Sequence, residues 1–142
     1  MRTIKFRVFD KHKKYMHELD ALFLYEKMFR VQNYKNEHDV FSFGTEYFSE
    51  PMQFTGILDK NGVEIYEGDI LLFSIFSYNY LDSQHNGVVE FKNVEWKLKI
   101  KFEDGEIKYH SLYHTMDANC GDIEVIGNIF QHPHLLEANH DR

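Results

Sequence analysis

Phe54-Thr55-Gly56-Ile57-Leu58-Asp59-Lys60-Asn61-Gly62-Val63-Glu64-Ile65-Tyr66-Glu67-Gly68-Asp69-Ile70 is written in the terms of backbone geometry rather than of catalysis. Asp59 and Asn61 are turn formers whose side chains bond their own backbone, and Gly62 accepts positive φ because it has no Cβ to clash. Val63 and Ile65 alternate with Glu64 and Tyr66, the mark of a half-buried strand. Glu67-Gly68-Asp69 makes a second turn, and Ile70-Leu71-Leu72-Phe73 opens a buried strand. The stretch predicts a tight turn over 59–62 with Gly62 in the left-handed region. It names no reaction.

Downstream, 70–76 reads as a strand, 79–86 as a polar loop, and 88–91 and 96–102 as strands. In the last of these Trp96, Leu98, Ile100 and Phe102 alternate with Lys97, Lys99 and Lys101. The first four should face the core and the lysines solvent, since a one-residue slip would bury all three cations. Glu103-Asp104-Gly105 is a hairpin signal, 106–113 reads as a strand and Asn119-Cys120-Gly121-Asp122 as a turn. The last strand is expected over 123–130, and 133–138 suits a short helix with Pro133 in its first turn.

Upstream, Ile4, Phe6 and Val8 alternate with Lys5, Arg7 and Phe9, which predicts a strand. Asp10-Lys11-His12-Lys13 turns the chain so that 14–19 can return as a hairpin partner. Residues 21–30 fit either a strand or a helix face of Leu22, Tyr25, Met28 and Phe29; aromatic content and the lack of an N-cap argue against a long helix. Residues 32–39 read as a loop and 40–43 as a short strand broken by Gly44. Pro51 marks a soft boundary: 1–50 is an N-terminal segment containing a β-hairpin, and 51–142 is a second domain. Short strands at turn-punctuated spacing predict a mainly β protein, α+β being possible, and leave barrel and sandwich both open.

The opening quotation resembles the YopX family of phage and prophage proteins. Gly87-Val88-Val89-Glu90-Phe91, the closing Glu124-Val125-Ile126-Gly127-Asn128-Ile129-Phe130 with His132-Pro133-His134-Leu135-Leu136, and the opening Ile4-Lys5-Phe6-Arg7-Val8-Phe9-Asp10-Lys11 are similar to the family in the same order. The resemblance spans nearly the whole chain. It implies an SH3-type small barrel in the C-terminal domain, 51–142. It implies no established biochemical activity, so it carries no functional residues over.

Composition sets the outer limits. A chain of 142 residues fits one domain, or one with a smaller appendage, and buries a sufficient core without staples. Aromatics at 16% are a large core payload for a β-rich chain of this size. A formal net charge of −7 opposes non-specific binding to phosphate backbones. Cys120 is the single cysteine and cannot form an internal disulfide, which fits a reducing cytoplasm, that of a bacterial host where the resemblance to phage proteins holds. No apolar run approaches a membrane span, and Met1-Arg2-Thr3-Ile4-Lys5 leads into alternating cations rather than an apolar signal core.

Few residues carry chemistry. On a strand His110 and His114 would stand too far apart to share an ion. His132 and His134 flank Pro133 and would need a third ligand such as Glu137 or His140. A Cys120 nucleophile would need a base such as His114 beside it and an electropositive setting. Glu67, Asp69, Glu103, Asp104 and Glu106 sit in or beside turns, where solvation explains them, and the glycines form no phosphate-binding loop. The expectation is therefore no catalytic, cofactor or metal residues and no enzyme. The leading reading is a phage or prophage accessory protein that binds other proteins, including copies of itself, through loop aromatics such as Tyr78 and Tyr80. The alternative is a nucleic-acid-associated module using Lys97, Lys99 and Lys101. Trp96, the best stacking platform, should lie on the other side of that strand, and the lysine stripe also suits a protected edge or solvated face.

Overall fold

The structure, a computed structural model, describes residues 3–31, 39–76 and 83–137. The chain divides into two compact units, Met1–Phe54 and Thr55–Arg142, each mainly β and built from antiparallel pairings.

The first unit holds β1 (Phe6–Asp10), β2 (Tyr15–Phe23), β3 (Met28–Val31), β4 (Phe41–Ser42) and the start of β5 (Met52–Leu58). β1 forms the expected hairpin with β2 and on its other edge meets β5, so that Arg7 lies between Glu18 and Met52. Asp10 ties the β1–β2 turn by accepting the N–H groups of His12 (3.0 Å) and Lys13 (2.8 Å). Burial pushes the Asp10 pKa up, but these donors and His17 outweigh it and hold it below the ordinary carboxylate value.

Residues 21–30 resolve as strand, turn, strand. Lys27 N–H donates to the Leu24 carbonyl (3.3 Å), and the Lys27 φ of 54° reverses the chain. Tertiary packing decides this: Phe29 is fully buried while Tyr25 is 95% exposed, so the two share no face. Phe29 joins Val8, Val31 and Phe43 in the core, with Phe41 and Phe48 rings 5.0–5.7 Å away.

The second unit continues β5 and adds β6 (Glu64–Tyr66), β7 (Asp69–Ile75), β8 (Ser83–Lys92), β9 (Glu95–Lys101), β10 (Ile107–Ser111), helix α1 (Leu112–Ala118), β11 (Glu124–Asn128) and a 3-10 turn, Pro133–Leu136. Five strands form an antiparallel sheet in the order β10-β9-β8-β7-β11. Among the described residues no ladder joins β10 to β11, so this sheet is open and the expected SH3-type barrel is not closed. Leu71, Phe73, Val89, Leu98 and Ile100 of this sheet are buried in one core with Ile65, Leu112 and Ile123.

The predicted turn is present. Gly62 has φ 80°, and its N–H donates to the Asp59 carbonyl at 3.1 Å. A Cβ at Gly62 would meet open space, so only conformational strain resists substitution. Gly62→Ala should therefore cost on the order of 1 kcal/mol; coincident denaturant midpoints for the two proteins would remove Gly62 from the left-handed region.

Three expectations change. The strand read over 106–113 ends at Ser111 and turns into α1. Ser111 is its N-cap, accepting the His114 N–H (3.4 Å) at its Oγ, and its carbonyl accepts the Thr115 hydroxyl (2.8 Å). Leu112 and Thr115 point inward, and Cys120 (φ 51°) and Gly121 (φ 78°) end the helix in left-handed conformations. Residues 83–86, read as loop, belong to β8: His85 is buried opposite Phe73, with Nε2 2.6 Å from Ser83 Oγ. The helix expected over 133–138 is the shorter 3-10 turn.

Candidate functional site

The lysine strand is the natural starting point. Lys97, Lys99 and Lys101 share one face of β9, with Leu98 and Ile100 fully buried on the other, as the alternation predicts. β9 is not an edge, however: it pairs with β8 through Val88↔Lys99 and with β10 through Tyr109↔Lys99. Interior placement changes the environment of the cations. Lys97 is only 18% exposed and lies 3.3 Å from Glu95, and Lys99 lies 3.8 Å from Glu90. Lys92 sits over the Tyr109 ring, 3.7 Å from its centroid. The stripe is thus charge-compensated by its own strands rather than presented as a bare cationic face.

The same face carries a cavity of about 510 Å³. Its floor is Val88 and Ile107, from β8 and β10, and its wall is Ile129, Leu135 and Leu136 from the C-terminal segment. Lys99, Lys101, Glu90 and Asn86 supply its polar edge. Asn86 Nδ2 donates to the Leu135 carbonyl (3.5 Å), and Leu135 N–H donates to the His132 carbonyl (3.0 Å), which fixes the wall. None of the five apolar lining residues belongs to the core on the opposite face of the sheet.

Among the described residues of the first unit the most exposed apolar feature is the tip of the β2–β3 hairpin. Phe23, Leu24 (71% exposed) and Tyr25 stand in succession, followed by exposed Glu26 and Lys27. The second unit has a smaller counterpart at the β8–β9 turn, where Val94 projects beyond Phe91 with φ 66°, unusual for a β-branched residue.

A family described as YopX protein matches residues 5–137 of this chain. The chain belongs to the YopX family. The YopX-family chain is also similar to a solved structure, described as the crystal structure of protein EF1440 from Enterococcus faecalis. Identity is 25% over 96% of this chain and 100% of that one, with a TM-score of 0.61. No curated protein matches it. No helix among the described residues is long and apolar enough to cross a membrane.

The remaining sequence candidates fall as follows in this YopX-family fold. Tyr78 and Tyr80 lie outside the described residues. His110 and His114, separated on the strand reading, line one cavity of about 280 Å³ because α1 begins between them. Burial, and then nearby Lys108, lower the His110 pKa, which favours its neutral form. Among the described residues no three His, Cys, Asp or Glu side chains are grouped to hold an ion. His132 and His134 rings are 6.2 Å apart, and His132 Nδ1 already accepts the Asn128 N–H (3.2 Å). Cys120 is exposed beyond the end of α1. The hairpin tip was missed because its apolar run, 21–25, scores equally as core on either secondary-structure reading. Its flanking Glu26 and Lys27 were the available signal.

Proposed function

We propose that this chain is a non-enzymatic accessory protein of a phage or prophage that works in the bacterial cytoplasm by binding another protein. The observation that carries this reading is the β2–β3 tip, where Leu24 and Tyr25 expose large apolar surface next to each other in one turn. Exposed aliphatic and aromatic side chains in succession are expensive to leave in water and suit an anchor seated in a partner's pocket. In this reading the second unit, with five antiparallel strands around one core, is an SH3-type scaffold.

Leu24→Ser/Tyr25→Ser should leave the unfolding midpoints within about 0.5 kcal/mol of wild type, as exposed positions do. The same variant should fail to capture at least one protein that the wild-type chain retains from phage-infected host lysate. Sedimentation equilibrium separates capture of another protein from self-association. Identical captured sets and identical association for the two chains would end the reading. The nucleic-acid alternative is less supported, because ion pairing of Lys97 and Lys99 leaves few counterions to release. Sub-micromolar oligonucleotide binding near 150 mM salt, about physiological ionic strength, that is lost on changing the three lysines to Ala would promote it.

A further inference from the structure

We propose that the outer edge of β10 pairs with the same edge of a second copy of this chain, joining the two sheets antiparallel about a two-fold axis at Tyr109. The proposal is independent of the hairpin tip. Three observations carry it. The first is that the two edges of the five-stranded sheet differ. β11, at one edge, is tied back into its own chain. Val125 N–H donates to Asp59 Oδ2 (2.9 Å), Asn128 N–H donates to His132 Nδ1 (3.2 Å), and the Asn128 carbonyl accepts the His132 N–H (2.9 Å). β10, at the other edge, has no strand on its outer side among the described residues. It also carries neither the proline nor the bulge that blunts an exposed edge. Lys108 is its one lysine, and that ammonium is turned to Glu106 (4.0 Å).

The second observation is which groups that edge presents. Phe102 N–H donates to the Glu106 carbonyl (2.8 Å), so these two residues form a hydrogen-bonded pair. Alternation from there gives the N–H and C=O groups of Lys108 and His110 to β9 and turns those of Ile107, Tyr109 and Ser111 outward. The Ser111 carbonyl accepts the Thr115 hydroxyl and keeps a second lone pair. The third observation is that this outward set is symmetric about Tyr109, which makes the edge complementary to itself. Ile107 pairs with the partner's Ser111 and Tyr109 with the partner's Tyr109, each pair exchanging two hydrogen bonds, so β10 is matched along its whole length. Lys108 then faces the partner's His110, a ring whose neutral form is favoured by burial. With the axis at Lys108 instead, two ammonium groups would meet directly, which destabilises a pair of strands. Such an isologous contact closes at two copies.

Sedimentation equilibrium and amide hydrogen exchange on the full chain test this. The chain should reach a dimer and nothing larger, with a Kd on the order of 10 μM or weaker, as suits an interface below standard size. The Ile107 and Tyr109 amides should gain at least about tenfold protection as the dimer forms, whereas those of Lys108 and His110, bonded to β9, should be protected at every concentration. Tyr109→Pro removes an outward N–H that β9 does not use, which an edge strand tolerates, so the variant should fold and stay monomeric. His110→Lys leaves the backbone intact and sets a cation against Lys108 on both sides of the axis, which should weaken the dimer about tenfold. Leu24→Ser/Tyr25→Ser should dimerise like wild type, which separates this contact from the hairpin tip. A chain still monomeric at about 1 mM, the weak end of specific association, would overturn the proposal. So would growth beyond two copies, a dimer that either β10 variant leaves unchanged, or Ile107 and Tyr109 protection that does not depend on concentration.

Discussion

Asp59→Ala should lower the stability of the second unit by about 4 kcal/mol, an effect set by the hydrogen bonds its carboxylate alone satisfies. Asp59 is 7% exposed. Its Oδ1 accepts the N–H groups of Asn61 (2.8 Å) and Val63 (2.9 Å), which forms the turn. Its Oδ2 accepts the Val125 N–H (2.9 Å), which ties the turn to β11 across 66 residues of sequence. Alanine removes the acceptor of all three backbone donors. Asp59→Asn keeps one acceptor for the turn but turns an amide N–H toward the Val125 N–H, so it should lose about half as much.

The pH dependence has a definite sign. Burial raises the Asp59 pKa, but the N–H donors of Val125, Val63 and Asn61, with Lys60 nearby, favour the anion more strongly, and the folded value lies below the ordinary 3.8. The unfolded state therefore binds this proton more readily. The stabilisation is complete above the ordinary carboxylate value and is lost as pH falls through the lower folded one. Trp96 is the chain's single tryptophan and lies in this unit, so its fluorescence follows the relevant transition. Wild type should weaken on acidification below about pH 4, the ordinary carboxylate range, more steeply than Asp59→Ala. Parallel curves, or a loss under about 1 kcal/mol, less than one typical charged hydrogen bond, would show that the carboxylate is not the tie described.

These cases show where sequence carries structure and where it does not. Asp59 to Gly62 was legible because a turn is local: its donors, acceptor and left-handed residue lie within a few positions of one another. The β9 alternation was legible for the same reason, since period two is intrinsic to a strand. What β9 pairs with was not, and so the lysine stripe read as a possible edge when β8 and β10 flank it. α1 escaped because its seven residues give less than two full periods, and its Ser111 cap also fits a strand end. Its closing Asn119 to Gly121 was read as a turn without the helix that it terminates. Ser83 to Asn86 looked like loop because the burial of His85 depends on Phe73 and Phe102 elsewhere in the chain. The cavity is the least local feature: Val88 and Ile107 share it only because Val88 is opposite Lys99 and Ile107 opposite Lys101.

Gly87→Val should cost about 3 kcal/mol, and for a reason opposite to that at Gly62, since here space rather than conformation is limiting. Gly87 lies in β8 opposite Leu71, on the core face of the sheet. A Cβ there would stand 2.9 Å and 3.2 Å from the Phe73 ring and 3.3 Å from the Leu98 Cβ. Phe73 is itself nearly inaccessible, so the ring has nowhere to retreat without displacing its neighbours. The missing side chain of Gly87 is thus the space that the Phe73 ring fills. If so, shrinking the ring should relieve the clash. Phe73→Leu alone opens a cavity and destabilises, yet Gly87→Val/Phe73→Leu should be more stable than the sum of the two single losses, with a coupling of at least about 1 kcal/mol, as contacting core residues show. Denaturant midpoints followed by Trp96 fluorescence measure all four corners of the cycle. Additivity within about 0.3 kcal/mol, the behaviour of independent sites, would mean that Phe73 does not occupy this space and that the packing of β7 against β8 is other than described.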